Sequence, residues 1–123
     1  MFDGLRERLD RLFANQGTGG RPAAEVAALR EATREAEAVF IRLRQWVAET
    51  ELLLVSERRR LEDAERRGRL AAAVPDAETV AIAARFATRH RERVVLLERK
   101  IVVQRDELRL AERELEELAA QAA

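Results

Sequence analysis

The sequence predicts an all-α protein: a short N-terminal amphipathic helix followed by a long antiparallel two-helix coiled-coil hairpin. Ala, Leu, Arg and Glu dominate the 123 residues, and all four favour helices. The chain is 37% charged and only 4% aromatic, which suits long helices with a narrow buried seam better than a layered globular core. Apolar and small residues also recur at alternating spacings of three and four, which is typical of a coiled coil.

Two breaks divide the chain. The predicted parts are an amphipathic helix at 1–15, a flexible linker at 16–22, and a hairpin at 23–121 with its turn at 74–76. The linker is rich in glycine and ends at Pro22, a residue that suits the start of a helix. Pro75 has no backbone N–H and disfavours a helical conformation at the residue before it, so the first arm should end near Ala73. Because the connection is so short, the second arm is predicted to run antiparallel to the first.

The seam between the arms follows a heptad repeat sustained for more than five heptads in each arm. In the first arm its positions are Val26, Leu29, Thr33, Ala36, Phe40, Leu43, Val47, Thr50, Leu54, Glu57, Leu61 and Ala64. In the second arm they are Val80, Ala83, Ala87, His90, Val94, Leu97, Ile101, Gln104, Leu108, Ala111, Leu115 and Leu118. Antiparallel pairing predicts that Phe40 lies opposite Ala111, a large side chain against a small one.

Three polar residues interrupt this seam: Glu57, His90 and Gln104. His90, the only histidine, is expected one layer from Glu57 in the facing arm. The pair has two interpretations. It is either a pH-sensitive contact or a polar layer that helps to define the register of the hairpin.

The first arm carries more apolar surface than one partner helix can cover. Val39, Trp46 and Leu53 recur every seven residues, with Leu52 and Val55 beside them. Burying a tryptophan removes about 150–250 Å² from water. We therefore expect these five residues to contact a second copy of the chain or another protein, with the first helix as an alternative cover.

The segment 1–15 has an apolar side bordered by arginines. At about 100° per residue, one arc contains the apolar side chains and its borders contain two basic ones. The predicted lipid contacts are Phe2, Leu5, Leu9, Leu12 and Phe13 on the arc, with Arg6 and Arg8 at its borders. This arrangement is typical of a helix lying in a lipid interface, although the same side could instead pack on the Trp46 row.

Charge is balanced overall, with 23 basic and 23 acidic residues, but it is distributed unevenly. Residues 57–100 contain 12 basic and 8 acidic residues, whereas the rest of the chain contains 11 basic and 15 acidic ones. If copies of the chain were staggered head to tail, the positively charged part of one copy would lie beside the negatively charged part of the next. We do not expect nucleic-acid binding, because acids alternate with the arginines and no aromatic platform accompanies them.

The chain contains few residues of the types that usually act in catalysis. The chain has no cysteine, one histidine and a single serine, Ser56. Its carboxylates alternate with arginines, as expected for a solvated helix surface laced with ion pairs. We therefore expect no catalytic residues, no cofactor and no metal site.

Local sequence around the turn resembles the phage shock protein A family of bacterial membrane-stress proteins, which are related in fold to ESCRT-III proteins. The similar segments are Ala64-Glu65-Arg66-Arg67-Gly68-Arg69-Leu70, Glu78-Thr79-Val80-Ala81-Ile82-Ala83-Ala84-Arg85 and Val94-Val95-Leu96-Leu97-Glu98-Arg99-Lys100-Ile101. The resemblance implies an N-terminal membrane-binding helix before a long hairpin. In that family further helices follow the hairpin and brace neighbouring subunits.

Two functional hypotheses remain. The first is a self-associating, peripheral membrane scaffold or stress protein, cytoplasmic and placed on the inner face of the cell membrane through residues 1–15. The second is a soluble coiled-coil adaptor or stalk-type chaperone that binds a protein partner. In both, the protein acts by association, and we expect a homo-oligomer.

Overall fold

The computed structural model of the chain describes Glu7, Arg11 and residues 21–122, except for the side chain of Ala122. Of these residues 95% are helical, and none lies in a strand. The all-α class is therefore confirmed for the described part of the chain. Apart from Glu7 and Arg11, the predicted amphipathic helix lies outside it, and so does most of the linker. Glu7 and Arg11 are both helical and exposed, and Arg11 Nε donates to the Glu7 carbonyl oxygen at 3.4 Å.

Two long helices account for nearly all of the described chain. Helix α1 spans Ala23–Ala73 and has 51 residues, and helix α2 spans Ala77–Ala122 and has 46. The Pro22 carbonyl oxygen accepts hydrogen bonds from the amides of Glu25 at 3.0 Å and Val26 at 3.2 Å, so the helical ladder starts at this proline. The two helices pack against each other, as the sequence predicts.

Residues 74–76 separate the helices. Helix α1 stops two residues before Pro75, and the amide of Asp76 donates to the Val74 carbonyl oxygen at 2.6 Å. Asp76 then caps α2: its Oδ1 accepts the Thr79 amide at 3.0 Å, and its Oδ2 accepts the Thr79 hydroxyl at 2.6 Å. These hydrogen bonds hold the pKa of the Asp76 carboxyl below its usual range. The cap satisfies an amide that the first helical turn would leave unpaired.

The chain forms two compact units. The terminal unit contains residues 21–45 and 106–122 among its described residues. Its core consists of Leu29, Phe40, Leu43, Ala111 and Leu115, with Ala36, Leu108, Leu118 and Ala119 packed against it. The predicted partners Phe40 and Ala111 thus belong to one cluster. Leu115 is fully buried, so truncating its side chain would leave an unfilled space in this core.

The turn unit contains residues 46–105. Its buried positions are Val47, Thr50, Leu54, Glu57, Ala64 and Ala71 on α1, and Ala83, Ala87, Val94, Ile101 and Gln104 on α2. Small residues dominate near the turn. A Cβ atom placed on Gly68 would lie 3.6 Å from Ala83 Cβ, an ordinary van der Waals separation. Small side chains at facing positions let the two helices approach closely.

Three ion pairs between the helices lie along one edge of the turn unit. They join Glu51 to Arg105 at 3.0 Å, Arg58 to Glu98 at 3.4 Å, and Glu65 to Arg91 at 3.5 Å. Successive members on each helix are seven residues apart, as expected for positions that flank a heptad seam. Each side chain is about half exposed, so each pair contributes only tenths of a kcal/mol. Together they favour a single antiparallel register.

Candidate interaction surfaces

A charged cluster lies in the seam of the turn unit. His90 Nδ1 is 2.7 Å from Glu57 Oε2, and both side chains are nearly buried. Two guanidinium groups approach the other carboxylate oxygen: Arg60 Nη1 at 3.3 Å and Arg93 Nη1 at 3.6 Å from Glu57 Oε1. The sequence predicts Glu57 and His90 one layer apart, and Arg60 lies three residues from Glu57, a spacing at which helix side chains meet. The approach of Arg93 from the other helix has no such sign in the sequence. The convergence of the two guanidinium groups compensates the burial of the carboxylate charge.

The Glu57 carboxyl remains ionised in this setting. Its hydrogen bond to His90 holds its pKa below the usual value, with further help from the charges of His90, Arg93 and Arg60, while burial acts in the opposite direction. An ionised carboxylate only accepts hydrogen bonds, so His90 Nδ1 carries the proton in this contact. Both side chains therefore take part in the packing between α1 and α2.

Gln104, the third polar seam residue, is buried on α2. Its side-chain oxygen Oε1 has no hydrogen-bond partner among the described residues. A buried acceptor without a donor costs about 1–3 kcal/mol. Gln104 therefore weakens the seam, whereas Glu57 and His90 satisfy each other.

The predicted association residues are all exposed. In the turn unit Trp46 is 44% exposed, Leu53 about half and Leu52 73%, and Val55 is likewise exposed. Val39, in the terminal unit, is exposed as well. Large apolar side chains in contact with water are common singly, whereas a contiguous group of them often marks an interaction site in proteins.

These side chains form two rows on α1 rather than one. Trp46 and Leu53 are seven residues apart and share one side of the helix, whereas Leu52 lies about 100° round from Leu53. Val55 lies three residues from Leu52 and therefore shares its side of the helix. The Trp46–Leu53 row adjoins the seam, and the Leu52–Val55 row faces away from it.

Helix α2 carries an exposed apolar surface that the sequence analysis missed. Val95, Leu96, Val102 and Val103 are all exposed in the turn unit. The signal was present, because Leu96 and Val103, like Val95 and Val102, are seven residues apart. Neither pair belongs to the predicted seam, which takes only Val94, Leu97, Ile101 and Gln104 from this stretch.

A groove of about 450 Å³ opens in the turn unit on the side away from the three ion pairs. We call it the basic groove; its lining includes Arg60, Asp63, Arg67, Ile82, Phe86 and His90. Phe86 is 49% exposed. The guanidinium carbon of Arg89 lies 5.9 Å from the centre of the Phe86 ring, within the range of a cation–π contact.

A second groove, of about 510 Å³, lies in the terminal unit. We call it the acidic groove; its lining includes Val39, Glu107, Leu110, Arg113, Glu114 and Glu117. Leu110 is 59% exposed. The groove thus combines exposed apolar side chains with three carboxylates and one guanidinium group.

The seven predicted lipid contacts lie outside the described residues: Phe2, Leu5, Arg6, Arg8, Leu9, Leu12 and Phe13. Neither long helix contains a stretch apolar enough to cross a membrane. In the part of the chain that the structure describes, the acidic residues and His90 form no cluster of three or more that could hold a metal ion.

Comparisons with protein-family models, curated proteins and solved structures returned no match for this chain.

Proposed function

We propose that this chain is a non-enzymatic scaffold, an antiparallel coiled-coil hairpin that self-associates and is held at an anionic membrane surface by an N-terminal amphipathic helix. It would act as a peripheral stress or scaffold protein on the inner face of the cell membrane, similar to phage shock protein A. The observation that carries the proposal is the exposure of Trp46 and Leu53 beside the seam of the turn unit.

Exposed apolar area supports the self-association. Covering the exposed part of Trp46 alone would stabilise a contact by on the order of 2 kcal/mol, at roughly 25 cal/mol per Å². Leu53 extends the same row, and Leu96 and Val103 add exposed apolar area on α2. A second copy of the chain presents the same side chains, so two copies can cover each other without a further partner.

The non-enzymatic character is supported by what the polar residues do. His90, the only histidine in the chain, is bound to Glu57 within the helix packing. Arg60 and Arg93 approach the same carboxylate. These groups balance one another's charge and stabilise the contact between α1 and α2.

The membrane role rests on the pattern of residues 1–15. Its apolar arc, bordered by Arg6 and Arg8, suits a helix whose guanidinium groups reach lipid phosphates while its apolar side enters the acyl boundary. A second attachment signal strengthens such binding, and self-association supplies one by joining several such helices.

Co-sedimentation with vesicles tests the proposal. We expect the full chain to sediment with phosphatidylglycerol-containing vesicles but not with pure phosphatidylcholine, and a chain lacking residues 1–15 to remain in the supernatant. The paired variant Leu5→Glu and Leu9→Glu should behave like the truncated chain, because it places charge on the apolar arc. Glu7→Gln, a change at an exposed position, is the matched control and should bind at least as well as the original.

Equal binding by the full and truncated chains, or no binding by either, would contradict the membrane role. A protein that self-associates without binding vesicles would instead support the soluble adaptor, the alternative hypothesis drawn from the sequence.

A further inference from the structure

The two units of the chain carry opposite net charge. Residues 46–105 contain 13 basic and 10 acidic residues, a net charge of +3. The described residues of the terminal unit, 21–45 and 106–122, contain 7 basic and 10 acidic residues, a net charge of −3. Each unit therefore attracts the other unit of a second copy and repels its own kind.

The basic groove concentrates the positive charge around apolar side chains. Arg60 and Arg67 line it together with Ile82 and Phe86, and both apolar residues are exposed. Arg89 adds a third guanidinium group over the Phe86 ring. The groove thus favours a ligand with apolar side chains at its centre and carboxylates around them.

The acidic groove offers that combination. Leu110 and Val39 are exposed apolar side chains, and Glu107, Glu114 and Glu117 surround them. None of these three carboxylates makes an ion pair with the residues that the structure describes. As far as the described residues go, these carboxylates are open to guanidinium groups of another molecule.

The spacing of the charges also matches. Arg60 and Arg67 are seven residues apart on α1, and Glu107 and Glu114 are seven residues apart on α2. Seven residues span two helical turns, about 10.5 Å, in both cases. Two arginines on one helix can therefore face two glutamates on the other at the same time.

We propose that the basic groove of one copy binds the acidic groove of a second copy, with Leu110 of the second copy packed on Ile82 and Phe86. The inference rests on the self-association proposed above and adds two surfaces to the exposed Trp46–Leu53 row. Apolar contact supplies the driving force, and the paired charges select this alignment over the contact of like grooves.

Charge reversal tests the pairing by sedimentation velocity over a range of concentrations. The variant Arg67→Glu with Arg89→Glu should weaken association about tenfold, and so should Glu107→Arg with Glu114→Arg, since each replaces attraction by repulsion. An equimolar mixture of the two variants should associate again, because each then presents the groove that the other lacks. A single chain with all four changes should also associate.

The matched control is Arg59→Glu with Arg69→Glu. It changes the net charge by the same amount within the turn unit, at exposed positions outside the basic groove. Its association should stay within about threefold of the original protein, an allowance for the shift in net charge. Circular dichroism of every variant establishes that its helices remain folded.

The outcomes separate the two proposals. A monomeric original protein would overturn the self-association and the groove pairing together. Association of the original protein with no difference between groove variants and control would overturn only the pairing, as would a mixture that fails to recover. Basic-groove variants that associate normally but lose binding to phosphatidylglycerol vesicles would overturn the pairing as well and assign the groove to lipid phosphates instead.

Discussion

Glu57 and His90 meet across the packing of α1 and α2, with 2.7 Å between Glu57 Oε2 and His90 Nδ1. Because this hydrogen bond holds the pKa of Glu57 below its usual value of 4.5, the contact stabilises the fold as long as the carboxyl is ionised. The contribution is fully present above the unfolded pKa, and it is lost as the pH falls through the lower folded pKa.

Glu57→Gln should therefore lower the free energy of unfolding by about 1–2 kcal/mol at pH 7, and the gap to the original protein should shrink as the pH falls below 4.5. Urea unfolding at pH 7 and pH 3 measures this gap. Glu62→Gln, at an exposed position on the same helix, is the control and should cost less than about 0.5 kcal/mol at pH 7. A gap for Glu57→Gln that is equal at both pH values would contradict the assignment.

Replacing Gln104 by leucine should stabilise the protein by about 1 kcal/mol. The change removes a buried oxygen that has no partner among the described residues and adds apolar volume to the seam. Gln104→Glu should instead destabilise it, because it would bury a charge at the same place. Thermal unfolding at pH 7 compares both variants with the original protein. A lower melting temperature for Gln104→Leu would contradict the assignment of a buried, unsatisfied oxygen to Gln104.

Gly68→Ala should raise the free energy of unfolding by about 0.5–1 kcal/mol. Glycine inside a helix costs conformational entropy relative to alanine, and the added Cβ would meet Ala83 Cβ at 3.6 Å without overlap. Gly68→Leu, which places a larger side chain against Ala83, should be less stable than Gly68→Ala because it forces the helices apart. Chemical denaturation ranks the three proteins. A destabilised Gly68→Ala would mean that the helices pack too tightly here to admit a methyl group.

Asp76→Ala should lower the melting temperature, because the amide and hydroxyl of Thr79 lose their acceptors. Asp76→Asn should lose less, since its side-chain oxygen can still accept the Thr79 amide. The difference between the original protein and Asp76→Asn should also shrink at acidic pH, because the stabilisation by the ionised carboxylate is lost as the pH falls through its lowered pKa. Equal melting temperatures for the original protein and Asp76→Ala would show that this cap does not stabilise α2.

Much of the helix pairing follows from local rules. Pro75 cannot continue a helix, so the position of the break needs no tertiary information. Alternating spacings of three and four identify positions such as Phe40 and Leu115, because a seam between two helices selects one stripe from each. The structure buries both residues in one core cluster.

The interaction surfaces depend on information that a heptad pattern does not contain. Leu96 and Val103 lie outside the predicted seam, but the heptad pattern does not say whether another part of the chain covers them; the structure leaves both exposed. Arg60 and Phe86 come together in one groove although 26 positions separate them along the chain. Such grooves depend on how the side chains of two paired helices pack, which sequence spacing alone does not determine.

Sedimentation velocity of Trp46→Ala is the most direct test of the central claim, that the protein works by association through the apolar surface beside its seam. The original protein should form oligomers in a concentration-dependent manner, and Trp46→Ala should weaken this about tenfold or more while the helical content stays unchanged. Gln45→Ala, a change at the exposed neighbouring position, should associate like the original. A monomeric original protein, or equal association of Trp46→Ala and Gln45→Ala, would contradict the account.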